Sequence, residues 1–106
     1  MSTHRRVGAR GTVEHELMTK VRAAALQAAA QLAGAVDDDT ATPDHFLALE
    51  DLIAALPLAA AEHSVVLSRL LNGARYYDGG ESQAAAFELR TLLRSLEQAF
   101  RMDGAT

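Results

Sequence analysis

The sequence contains no cysteine. This absence excludes disulfide bonds, thiolate metal ligands and cysteine nucleophiles. The chain also has no apolar run that approaches the roughly eighteen residues of a membrane-spanning helix. Its N-terminal residues lack the apolar stretch of a signal peptide. These two absences lead us to expect a soluble, cytoplasmic protein without a membrane contact.

The motifs of common enzyme and nucleotide sites are missing as well. The sequence has no nucleophile-elbow glycines, no Walker-type phosphate loop, no dinucleotide fingerprint and no His-Glu-x-x-His zinc helix. Any catalytic hypothesis would have to rest on scattered His, Asp and Glu residues. We therefore expect a protein that is not an enzyme and that needs no cofactor.

Histidines are few, and three of the four directly follow an acidic residue: His15, His45 and His63. Adjacent residues on a helix point about 100° apart, so these acid-histidine pairs do not converge on one ligand. A metal site would need the three histidines brought together from three helices. The run Asp37-Asp38-Asp39 lacks the alternating spacing and the glycine of a calcium loop. We expect no metal site and interpret the run as a solvated loop.

Bulky apolar residues are scarce for a chain of 106 residues, because Leu, Ile, Val and Phe together number 25 while Ala alone numbers 22. Burial of an Ala side chain contributes roughly 0.8 kcal/mol, against roughly 1.5 to 3 kcal/mol for a Leu. The length is that of one ordinary domain. We therefore expect one thin core that close helix packing or self-association must supplement.

The spacing of the apolar residues predicts four helices and no strand, in the order long, short, short, long. Thr42-Pro43-Asp44 is a typical helix start, whereas Pro57 and the pair Asn72-Gly73 are typical helix stops. We predict an all-α fold, a compact bundle with helices at roughly 12–36, 43–56, 58–72 and 82–102. Residues 12–103 would form one domain, and residues 1–11 a disordered basic arm.

The first predicted helix is rich in alanine on nearly every side, from Ala23 to Ala30. Its apolar stripe is predicted at Val13, Leu17, Val21, Ala24, Ala28 and Leu32, with Ala25 and Ala29 widening it. Small residues allow another helix to approach the backbone closely. One interpretation is high helix propensity alone. The other is a helix that packs both within its own chain and against a partner, with Ala24, Ala28 and Leu32 at the interface.

The charge is unevenly distributed along the chain. Arg5, Arg6 and Arg10 are basic, whereas from Gly11 onward seven basic residues face fourteen acidic ones. An acidic body repels a nucleic-acid backbone. Nucleic acid is therefore not an expected partner, unless it is contacted through these three arginines.

A second candidate contact lies at Arg75, Tyr76 and Tyr77, which fall outside any clear apolar stripe. Tyrosine and arginine are enriched among residues that contribute most to protein interfaces. These three are the first candidates for an exposed contact outside α1. The other interpretation, which the sequence favours, is a tyrosine pair that covers the end of the bundle.

The segment His15-Glu16-Leu17-Met18-Thr19-Lys20-Val21 resembles the phosphoacceptor box of two-component sensor kinases, in which His-Glu-Leu-x-Thr lies on a long helix. The resemblance implies that His15 is the phosphorylated residue and Glu16 its neighbouring acid, with transfer to a receiver aspartate. The sequence departs from the pattern at Lys20, where the family usually has proline.

Taken together, the sequence predicts a non-catalytic helical protein-interaction module, an adaptor or a small inhibitor of a larger complex, that homodimerises. The identity of the protein partner stays open. The alternative is a histidine phosphotransfer protein with His15 as phosphoacceptor.

Overall fold

The computed structural model describes residues 13–101 together with their side chains and gives helix bounds on either side of them. The helices are α1 (Ser2–Asp37), α2 (Pro43–Ala55), α3 (Ala60–Asp78) and α4 (Ser82–Ala105), and no strand occurs among the described residues. The predicted all-α bundle in the order long, short, short, long is confirmed. The side chains of the predicted arm at residues 1–11 lie outside those that the structure describes.

The four helices form an up-down-up-down bundle. Each helix packs against the next one along the chain, and α4 also packs against α1. The short connections between consecutive helices make neighbours antiparallel. Arg90 of α4 pairs with Asp37 at the end of α1, whereas Phe100 of α4 contacts Arg22. These two contacts show that α4 and α1 also run antiparallel.

Helix α1 ends in a Schellman cap at the start of its loop. Asp39 has a φ of 60°, in the left-handed region, and Gly80 has a φ of 78° at the equivalent place after α3. The Thr40 N–H donates to the Ala35 carbonyl over 2.8 Å, and the Asp39 N–H donates to the Val36 carbonyl over 3.2 Å. These bonds satisfy carbonyls that a helix end otherwise leaves without partners. The acidic run is exposed, as its interpretation as a solvated loop predicts, and Asp38 and Asp39 also form the cap of α1.

Helix α2 begins and ends at local signals that the sequence displays. Thr42 is its extended N-cap and Pro43 its first residue. The His45 side chain completes the cap, because its Nδ1 accepts a hydrogen bond from the Thr42 N–H over 3.0 Å. At the other end, Leu56 is extended, with φ −79° and ψ 138°. A residue before proline avoids the helical region, so Pro57 accounts for the break.

Helix α3 does not end at Asn72-Gly73, and that prediction is wrong. It continues to Asp78. Gly73 is buried against α4, where an added Cβ would lie 3.2 Å from the Cδ2 and Cγ atoms of Leu89. The glycine permits a close approach between two helices and does not terminate one.

The core lies among all four helices, and on α1 it follows one side of the predicted stripe, at Ala25, Ala29 and Leu32. Ala25 and Ala29 are fully buried, whereas Val13 and Leu17 are exposed. Alanines thus form much of the buried face of α1. The largest fully buried side chains are those of Leu32, Val36, Leu49, Ile53, Val66, Leu89, Leu92 and Leu96.

Candidate interaction surface

The N-terminal half of α1 carries apolar residues that its own bundle leaves uncovered. Val13 is 53% exposed and Leu17 is 52% exposed, while Val21 and Ala24 are half-buried and Val21 also packs against the core of the bundle. Residues three or four positions apart lie on the same face of a helix. Val13, Leu17 and Val21 therefore form a continuous line, which we name the N-terminal stripe.

Helix α2 does not extend to the level of Val13 and Leu17 on α1. Helix α2 returns along α1 after a loop of residues 38–42 and contains 13 residues, against 36 in α1. At 1.5 Å per residue it extends about 20 Å, and so it covers only the C-terminal part of α1. Pro57 stops α2 before it can reach the level of Val13 and Leu17. The local sequence signals of α2 thus limit how far along α1 it can pack.

The three residues predicted as an α1 interface have different surroundings. Leu32 is 1% exposed and lies in the core of its own chain, so it offers no surface to a partner. Ala28 is half-buried and packs against that core. Ala24 is half-buried and continues the N-terminal stripe by one step. Of the three, Ala24 is best placed for an external contact.

The three residues predicted as contacts at the end of α3 also have different surroundings. Arg75 is exposed and Tyr76 is 38% exposed. Tyr77 points into the molecule, where its hydroxyl accepts a hydrogen bond from the Ala41 N–H over 3.1 Å and its ring centroid lies 6.1 Å from that of Phe46. Tyr77 therefore fastens the α1–α2 loop to α3, in agreement with the alternative interpretation that it covers the end of the bundle.

The electrostatic surroundings of Tyr77 favour its neutral form. Burial raises the pKa of the Tyr77 phenol above its ordinary value of 10.0, and the charge of the Asp39 carboxylate raises this pKa further. The hydrogen bond with the backbone of Ala41 acts in the opposite direction. A deprotonated oxygen would lie close to a second negative charge. The loop contact is thus suited to a protonated tyrosine.

The histidines do not form a common site. His15 is exposed, and its carbonyl accepts a hydrogen bond from the Thr19 hydroxyl over 2.9 Å. His45 caps α2, and His63 is half-buried with its Nε2 lacking a hydrogen-bond partner. Within the described residues, no group of three or more His, Asp or Glu side chains could hold a metal ion.

A groove between α3 and α4 is a feature that the sequence did not reveal. It has a volume of about 310 Å³, and its floor includes the buried Val66 and Ala99. Val65, at 50% exposed, forms part of its rim. The apolar spacing of α3 allowed either Val65 or Val66 in the core, and the packing selects Val66. Apolar surface is therefore also exposed on the α3–α4 side.

Two further expectations concern other kinds of partner. In the described part of the chain, no helix has the length and apolar character needed to span a lipid bilayer. A nucleic acid would have to be contacted through Arg5, Arg6 and Arg10, whose side chains lie outside those that the structure describes.

Comparison with known proteins adds no relationship. The chain matches no protein-family model, and neither curated proteins nor solved structures include a significant match.

Proposed function

We propose that this chain is a non-catalytic helical protein-interaction module, an adaptor or a small inhibitor of a larger complex, and that it homodimerises through the N-terminal half of α1. The observation that carries the proposal is the N-terminal stripe. Single exposed apolar residues are common on soluble proteins. Here Val13 and Leu17 are half exposed, one turn apart, on one helix face.

The composition of the core supports the same conclusion. Much of the α1 core face consists of alanines such as Ala25 and Ala29, which contribute little apolar area each. A chain with a thin core gains stability when a partner covers its remaining apolar surface. Leu17 is a larger apolar side chain than either alanine, and the bundle leaves half of it uncovered.

Light scattering on the purified chain at tens of micromolar tests the proposal. We expect twice the mass of one chain. Leu17→Glu places a charge in the N-terminal stripe and should give a monomer with unchanged helicity by circular dichroism. Thr19→Glu is the matched control, since Thr19 is also exposed on α1 but points about 200° away from Leu17. A monomeric wild-type chain would contradict the proposal.

Phosphotransfer through His15 is the alternative. It is supported by the exposed ring of His15 on the long helix of an antiparallel four-helix bundle. Incubation with phosphoramidate followed by phosphorus NMR tests it, with His45 and His63 as internal comparators. Selective labelling that is lost in His15→Gln would support the alternative. Labelling that His15→Gln leaves unchanged would contradict it.

A further inference from the structure

We propose that two copies of the chain pair antiparallel through their α1 helices, around a two-fold axis that passes beside Leu17. This inference rests on the proposed homodimer and specifies its geometry. It concerns the arrangement of the N-terminal stripe, in which Val13 and Leu17 are half exposed and Val21 is half-buried.

The N-terminal stripe has the same order of residue types, Val-Leu-Val, in both directions along the helix. A valine lies four residues before Leu17 and another four residues after it. A two-fold interface uses the same patch on both copies, so the patch has to be complementary to itself. An antiparallel pairing places Leu17 of one copy against Leu17 of the other, and Val13 of each against Val21 of the other. A helix face built from four-residue steps packs in this way at a crossing angle of about 50°.

The charges of this segment also favour a second copy as the occupant. Residues 13–22 contain two acidic residues, Glu14 and Glu16, and two basic ones, Lys20 and Arg22. Residues 23–101 contain five arginines against eleven acidic residues. Two identical acidic bodies repel each other. Residues 13–22 are therefore where two copies can meet without an excess of one charge.

Glu16 of one copy and Lys20 of the other form an ion pair at the edge of the proposed contact, which we name the cross-pair. Within each copy they are exposed, lie one turn apart and occupy the same flank of the N-terminal stripe. Neither belongs to the described ion pairs, which are Arg69–Glu88 and Arg90–Asp37. A two-fold axis beside Leu17 brings Lys20 of each copy within reach of Glu16 on the other. The flank is thus complementary to itself in charge, as the stripe is in shape.

Cysteine cross-linking tests the geometry, because the wild-type chain has no cysteine. Two cysteines form a disulfide when their Cα atoms lie about 4.4 to 6.8 Å apart. Leu17→Cys should form a covalent dimer under mild oxidation at a concentration at which Thr19→Cys stays mostly monomeric. If Thr19→Cys cross-links as readily as Leu17→Cys, the antiparallel arrangement around Leu17 is wrong.

The outcomes separate the two proposals. A wild-type dimer by light scattering whose Leu17→Cys variant does not cross-link would overturn the geometry and leave the proposed homodimer standing. A monomeric wild-type chain would overturn both.

Charge exchange gives a second test that does not depend on oxidation. Glu16→Lys leaves two basic residues on the flank, and Lys20→Glu leaves two acidic ones. Each variant alone should therefore have a smaller dimer fraction than wild type. An equimolar mixture should recover it, since unlike flanks then face each other. A mixture that associates no better than either variant alone would overturn the cross-pair, because pairing within one helix would not respond to mixing.

Discussion

Gly73 of α3 lies directly against Leu89 of α4, where an added Cβ would approach two side-chain carbons of Leu89 to 3.2 Å. Leu89 is fully buried and has little room to move aside. The absence of a side chain at position 73 lets the two helices pack closely. This contact partly compensates for the small number of bulky core residues.

Gly73→Ala should therefore destabilise the protein, although alanine is the better helix former. The substitution adds a methyl group to a filled contact, which typically costs about 1 to 3 kcal/mol. It recovers about 1 kcal/mol of helix propensity. We expect a net loss of about 1 kcal/mol in the free energy of unfolding, measured by urea denaturation at a fixed chain concentration.

Gly34→Ala is the control for that experiment. Gly34 is exposed within α1 and has no atom within 4 Å of an added Cβ. This substitution should stabilise the protein by about 0.5 to 1 kcal/mol. If both glycine variants were equally stabilised, the close contact between Gly73 and Leu89 would not limit the packing.

The ion pair between Arg69 and Glu88 should matter more than the one between Arg90 and Asp37. Glu88 is 8% exposed, and its carboxylate accepts a hydrogen bond from Arg69 over 3.0 Å. Arg69→Ala leaves this carboxylate without its partner in a mostly dry position, and we expect a loss of about 1 to 3 kcal/mol. Urea denaturation measures it.

The matched control is Arg90→Ala. Both side chains of the Arg90–Asp37 pair are about half exposed, at 54% and 50%. Exposed pairs contribute little, so the loss should stay below about 1 kcal/mol. Equal losses for Arg69→Ala and Arg90→Ala would show that burial of Glu88 does not set the strength of its pair.

Features fixed by local covalent structure could be predicted from the sequence. Helix α2 is the clearest example. Thr42-Pro43 favours the start of a helix, and Pro57 forces the preceding residue out of the helical region. The observed helix, Pro43–Ala55, differs from the predicted range by one residue. The exposed position of His15 also follows from its place among charged residues.

Features that depend on a neighbouring helix could not be predicted in the same way. Alanines occupy adjacent positions in α1, so the periodicity did not distinguish a face through Ala24 and Ala28 from one through Ala25 and Ala29. The role of Gly73 depends on Leu89, sixteen residues later in the chain. Tyr77 contacts Ala41 across 36 positions. Each of these required the packing of the helices to be known.

Asp39 should tolerate glycine better than alanine. Its φ of 60° is one that L-residues other than Asn and Asp rarely adopt. Asp39→Ala and Asp39→Gly both remove the carboxylate, so the difference between them isolates the backbone conformation. We expect the glycine variant to be more stable by about 1 kcal/mol in urea denaturation.

Asp38 provides the comparison, because among the described non-glycine residues Asp39 alone has a positive φ. At position 38 the alanine variant should be at least as stable as the glycine variant. A preference for glycine at both positions would point to general loop flexibility and would contradict the cap geometry.

Tyr77 should make the protein sensitive to alkaline pH. Its pKa is raised in the folded state by burial and by the charge of Asp39, so folding favours the neutral phenol. The resulting contribution to stability is complete below the unfolded value of 10.0 and is lost as the pH rises through the higher folded pKa. We expect the urea midpoint of wild type to decrease as the pH rises above the unfolded value of 10.0.

The Tyr77→Phe variant removes the ionisable hydroxyl together with the acceptor for the Ala41 N–H. Its midpoint should be lower than that of wild type at neutral pH, where the loop contact is lost. The gap should then narrow as the pH rises, because wild type loses stability that the variant no longer has. Tyr76→Phe keeps the Tyr77 contact and should follow the wild-type pH profile. A gap between wild type and Tyr77→Phe that stays constant with pH would show that the loop contact does not depend on the protonated phenol.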